Sequence, residues 1–160
     1  MHAPPGLQAR EELPQAMCLA AGEGDAQAVT RAWLDEGGGV DAHCAERFGE
    51  TLLMAAAEGG QKATVRILLQ RGASVNLQDL FGATALMFAA DSGHTAVVQG
   101  LLDAKADASL QTSTEGNTAL TLAEQFNHPA TAQLLRQHAK RQPAEAEARA
   151  AVASALTPAA

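Results

Sequence analysis

The apolar positions of this chain recur as pairs of short helical stripes. Leu53, Ala56 and Ala57 fall at i, i+3 and i+4, and beyond a Gly59-Gly60 break Val65, Leu68 and Leu69 repeat that spacing. The same pair of stripes returns 33 residues on, as Leu86, Ala89 and Ala90, then Ser92-Gly93, then Val98, Leu101 and Leu102. Apolar residues so spaced share one face of an α-helix. Thr51 and Thr84 precede the first stripe of each unit, where a hydroxyl can accept from a free amide of the opening turn. Gly72 follows a second stripe, a natural place for a left-handed C-terminal residue. Between units, Ala73–Ala83 interleaves Asn76, Asp79 and Gly82 with apolar residues, which predicts a turn or hairpin. Neither helix is long enough to be stable alone in water. Each unit must therefore bury its apolar face on a neighbour. The pattern predicts an all-α solenoid of stacked helix-turn-helix units that works through a surface rather than a pocket.

Two weaker copies flank the good ones. Met17–Asp25 reads MCLAAGEGD, followed by Val29, Trp33, Leu34, Gly37 and Val40, with one residue inserted in the second helix. Gly116–His128 reads GNTALTLAEQFNH, followed by Leu134 and Leu135. Four units result, at approximately 13–45, 46–78, 79–112 and 113–141. Trp33 is expected to pack in the core of the first. Residues 1–12 read as a flexible arm, with a turn of helix near Arg10–Leu13. Residues 142–160 are Ala- and Pro-rich, a marginal helix or a disordered tail, with Pro143 at a first helical position.

Composition narrows the function classes. Aromatic residues are 3% of the 160, with no Tyr, so Ala, Leu, Val and Met must build the core. The formal net charge is −7, and no basic run exceeds Lys140-Arg141, which argues against nucleic acid and anionic membranes as partners. No apolar run approaches the roughly 18–20 residues that span a bilayer. The N-terminus lacks the hydrophobic core of a secretory signal. An intracellular location, cytoplasmic or nuclear, and a monomeric state are expected.

Candidate chemistry is sparse. The phosphate-loop, nucleophile-elbow and zinc-protease motifs do not occur. Ala20–Asp25 is glycine-rich but falls at a helix break. Cys18 lies on the apolar face of the first helix and reads as a small buried hydrophobe. His43 and Cys44 adjoin in the first loop, with Cys44 read as exposed; a metal site there would need further ligands. No metal, cofactor or catalysis is expected.

The segment running from Asn76 through Asp79, Gly82, Thr84, Leu86, Ala89, Ala90, Gly93, His94, Val97 and Val98 to Leu101 and Leu102 resembles the ankyrin repeat pattern. That resemblance implies a hairpin-like loop ahead of two antiparallel helices. It also implies a partner protein gripped by loop tips and by the exposed face of the first helices. Carried over by position, the contact residues are Arg47, Phe48, Glu50 and Glu58 in the second unit. In the third they are Leu80, Phe81, Ala83, Asp91 and Ser92. In the last they are Thr114, Glu115, Asn117, Gln125 and Phe126. Three of the four Phe residues thus fall at solvent-facing positions, as interface anchors would. The plainer alternative is that Phe48 and Phe81 fold back and stiffen the neighbouring loop. Glu50, Glu58, Asp91 and Glu115 would make the face acidic and favour a basic or mixed partner segment.

The resemblance also marks departures. Met54 and Met87 replace the histidine that ties neighbouring loops in the family, so those contacts are expected to be apolar. His94 and His128 hold the structural histidine of the second helix. Gln15 and Arg31 in the first unit, and Glu124, Asn127 and Arg136 in the last, read as the polar substitutions of capping units. Asn76 matches the loop asparagine that asparaginyl hydroxylases modify. The implied function is a non-catalytic adaptor or scaffold; the alternative is a stoichiometric inhibitor or regulatory subunit of an enzyme.

Overall fold

The computed structural model describes residues 12–156. Helix pairs follow one another along the chain. The inner row is α1 (Gln15–Glu23), α2 (Leu52–Glu58), α4 (Ala85–Asp91) and α6 (Ala119–Gln125). The outer row is a π-helix (Ala28–Leu34), α3 (Lys62–Gln70), α5 (Thr95–Asp103) and α7 (Pro129–Leu156). Each inner helix packs on the next, α1 on α2, α2 on α4 and α4 on α6, and α3, α5 and α7 stack likewise. The fold is the expected all-α stack.

The inner helices α2, α4 and α6 are short because threonine starts them and the chain turns sharply after them, whereas α1 follows Pro14. The hydroxyls of Thr51, Thr84 and Thr118 each accept the backbone N–H three residues on, all at 3.3 Å. Met54 does more than fill space: its sulfur accepts the Thr51 N–H at 3.4 Å and closes a reciprocal cap. Its contact is therefore polar toward its own helix start. Leu52 to Ala57 are all buried, so α2 is apolar all round rather than on one face. A helix enclosed by α1, α4 and its own partner α3 has no solvent side to keep polar. In α4 the one half-buried apolar residue among Ala85–Ala90 is Phe88.

The inserted residue of the first unit has a structural form. Ala28–Leu34 is a π-helix, in which the wider i→i+5 turn takes up one extra residue. Trp33 thereby stays in the core, 8% exposed, its indole N–H donating to the Gly39 carbonyl at 2.9 Å. Cβ placed on Gly38 would stand 2.3 Å from that ring, so glycine is needed there.

Neighbouring units are tied by a repeated polar seam. Gln61 Nε2 donates to the Gly22 carbonyl at 3.0 Å, His94 Nε2 to Glu58 at 2.9 Å and His128 Nε2 to Asp91 at 2.8 Å. His94 and His128 thus take the hydrogen-bonding role expected of them. The loops are also bonded in series. The Phe48 carbonyl accepts the Leu80 N–H at 3.0 Å, and the Phe81 carbonyl accepts the Ser113 N–H at 2.8 Å. Asp41 accepts the Ser74 N–H at 2.8 Å, and Asn76 Oδ1 accepts the Asp107 N–H at 2.7 Å. Two of the three polar departures of the last unit meet each other, Arg136 pairing with Glu124.

Four expectations are corrected. Leu13 is not in a helical turn; its N–H donates to the His43 carbonyl at 3.0 Å and its side chain is buried. Cys44 is buried, because it sits in a two-residue strand (His43–Cys44) paired with Glu50–Thr51, and alternation turns His43 outward and Cys44 inward. Pro143 lies inside α7, not at a helix start, and the helix continues to Leu156. The fourth is Glu50, described below. Of the proposed arm, residues 1–11 lie outside the described residues, as do 157–160 of the tail.

One backbone position is suboptimal. Lys105 has φ +70°, at the place where Gly72 has φ +87° after the preceding outer helix. A side chain in the left-handed region costs about 1 kcal/mol. Lys105→Gly is expected to raise stability by about 0.5–1 kcal/mol, seen as a higher urea midpoint. A lower midpoint would mean that the lysine stem contributes more than its strain costs.

Candidate partner-binding surface

The hairpin tips of the second and third units carry three large exposed apolar side chains. Leu80 is 76% exposed, Phe48 58% and Phe81 49%. Phe48 and Phe81 lie ring against ring, with centroids 5.2 Å apart and planes tilted by 58°. The tilted arrangement suits the aromatic quadrupole. Each ring therefore does lean on the neighbouring loop, yet about half of each remains in solvent. The third-unit tip is held by Asp79, whose Oδ1 accepts the N–H groups of Phe81 at 2.9 Å and Ala83 at 2.8 Å.

Below the tips, the two junctions between units differ. At the second unit Arg47 contacts Glu50 and Glu58, each at 2.8 Å. Glu50 is buried rather than solvent-facing, 8% exposed, and burial pushes its carboxyl up despite the guanidinium beside it. The single Arg47 guanidinium thus offsets part of the negative charge that Glu50 and Glu58 bring to the face. At the third unit the corresponding places hold Leu80, Ala83 and Asp91. There the surface opens into a hollow of about 260 Å³, floored by Met87, Phe88 and Leu122 and walled by Phe81 and Ala83. Asp91, Thr112, Thr114, Glu115 and Asn117 complete it. Burial raises the Asp91 carboxyl as well, against the lowering pull of His128, with the charge of Glu58 adding to the rise. Glu115 is exposed and accepts from Asn117 Nδ2 at 2.7 Å.

Six of the carried-over residues, Phe81, Ala83, Asp91, Thr114, Glu115 and Asn117, thus surround one hollow. Arg47, Glu50 and Glu58 form an ion-paired cluster beside it, and Phe48 joins through Phe81. Ser92, Gln125 and Phe126 lie at or beyond the C-terminal ends of the inner helices and do not line it. Reasoning from the sequence missed Met87, Phe88 and Leu122. One signal was available: Phe88 and Leu122 stand where the second unit has Ala55, a bulky residue among alanines.

Other chemistry is not gathered here. Cys18 and Cys44 are both free and buried, and burial, with a hydrogen bond to Cys44, pushes the Cys18 thiol up to about 12. A thiol so buried is inert at neutral pH. Asn76 is exposed, but its amide oxygen is engaged by Asp107. Among the described residues no three His, Cys, Asp or Glu side chains are grouped to hold a metal ion, and no helix is long and apolar enough to cross a membrane.

A family model described as ankyrin repeats (3 copies) matches residues 16–112 and 74–150. No curated protein matches the chain.

Proposed function

The chain belongs to the ankyrin repeat family, whose members serve generally as protein–protein interaction modules, and from that premise we propose that it is a non-catalytic adaptor. It captures a partner protein on the hairpin tips of the second and third units and on the inner-helix face below them. The observation that carries this reading is the Phe48–Phe81 pair, two half-exposed rings side by side in a chain whose aromatics make up 3% of residues. Aromatic anchors ringed by polar groups dominate binding energy at interfaces. The tips are preorganised by the Asp79 carboxylate and by the loop-to-loop backbone bonds, so little conformational entropy is lost on docking.

The double variant Phe48→Ala/Phe81→Ala is expected to lose partner capture by roughly a hundredfold or more while its helical circular dichroism stays unchanged. The check is an affinity pull-down compared between wild type and variant, followed by titration of the captured partner. Equal capture by the two proteins would sink the proposed surface.

A further inference from the structure

We propose that the hollow between the third and fourth units takes a single aliphatic or aromatic side chain of the partner, with a Lys or Arg of the same segment set against Asp91 and Glu115. This assignment rests on the adaptor reading and specifies its partner chemically.

At the second unit the site is already filled from within. Glu50 is packed under the tip, and Arg47 bridges it to Glu58. At the third unit each of those parts is changed. Ala83 replaces Glu50 and leaves room; Leu80 replaces Arg47 and stands 76% exposed. Asp91, at the place of Glu58, has no Lys or Arg within ion-pair distance among the described residues. Where the second unit has Ala55, Phe88 supplies an apolar floor, and Met87 and Leu122 extend it. The hollow of about 260 Å³ therefore combines an apolar bottom with carboxylates at Asp91 and Glu115. Its apolar floor asks for an apolar side chain. A cation from the same segment supplies at Asp91 the counter-charge that Arg47 supplies at Glu58, so the complementarity is in both polarity and charge.

A display library of random linear peptides, selected on the full chain, tests this. Selected peptides are expected to share an apolar residue with Lys or Arg close by. Ala83→Leu, which fills the hollow, should weaken them roughly tenfold to a hundredfold, the effect of excluding one buried side chain. Asp91→Asn/Glu115→Gln, which leaves the core untouched, should weaken them and abolish the salt dependence of binding. Peptides without a basic residue, or binders indifferent to both variants, overturn the assignment. So does a library that yields no binder sensitive to them. Binders lost in Phe48→Ala/Phe81→Ala but unmoved by Ala83→Leu and Asp91→Asn/Glu115→Gln would uphold the adaptor reading and sink the hollow alone.

Discussion

Replacing Gly59 with alanine is expected to lower stability by about 2–4 kcal/mol, from overpacking and a lost hydrogen bond together. Gly59 has an ordinary helical φ of −76°, so its backbone makes no demand for glycine. The demand comes from the preceding unit. A Cβ there would stand 1.9 Å from the Gly22 carbonyl oxygen and 2.8 Å from its carbon, both backbone atoms of the last turn of α1. Backbone cannot swing aside as a side-chain tip can, so α1 must move off α2. That same carbonyl receives Gln61 Nε2 at 3.0 Å, and the movement breaks this bond too. Ser92 holds the equivalent position one unit later and already carries a Cβ, so Ser92→Ala should change stability by less than about 0.5 kcal/mol. Urea unfolding of the two variants reads both numbers, and faster amide exchange confined to α1 would locate the damage. An unchanged midpoint for Gly59→Ala would mean that the first unit contributes nothing to the measured transition.

Gly93→Ala is expected to cost about 2–3 kcal/mol for a different pair of reasons. Gly93 has φ +72°, where a side chain is strained. Its added Cβ would also lie 2.4 Å from Nδ1 of the His128 ring. The ring must then leave the Asp91 carbonyl, which it holds at 2.8 Å. The two costs separate in a double-mutant cycle with His128→Ala. Without the ring, Gly93→Ala should retain only its backbone strain, so the two substitutions together should cost about 1 kcal/mol less than their sum. Strict additivity would show that glycine and histidine do not meet. Gly60 stands in the same relation to His94, with a Cβ at 2.6 Å from that ring.

Much of the scaffold could be read from the chain because it repeats. Thr51 and Thr84, the alanine pairs and the two helical stripes recur in register, and a repeated local pattern needs only one structural explanation. The extra residue between Val29 and Leu34 was visible as a count, but not as a π-helix, since a count does not say which carbonyl an amide will choose. Glu50 was misread because a charged residue beside a loop tip reads as solvated, and only three-dimensional closure lets Arg47 reach both Glu50 and Glu58. Cys44 was misread for a similar reason. A two-residue strand is too short to show alternation, so which side faces inward is decided by its pairing with Glu50 and Thr51. The hollow was half legible: its rim residues follow from their positions, while its floor depends on Phe88 and Leu122 replacing a small residue in consecutive units.

The seam has a consequence for how the chain is made. The carbonyls of Gly22, Glu58 and Asp91 belong to the last turns of their helices, where no amide of the same helix can reach them. Each is satisfied by Gln61, His94 or His128 of the unit that follows. A ribosome delivers the chain in the opposite sense, earlier units first. Each newly released inner helix therefore waits, its final turn open to water, until the outer helix of the following unit emerges to close it. Assembly proceeds as a row of latches, each thrown by the successor of the piece it secures, and a stall in synthesis leaves the most recent latch open.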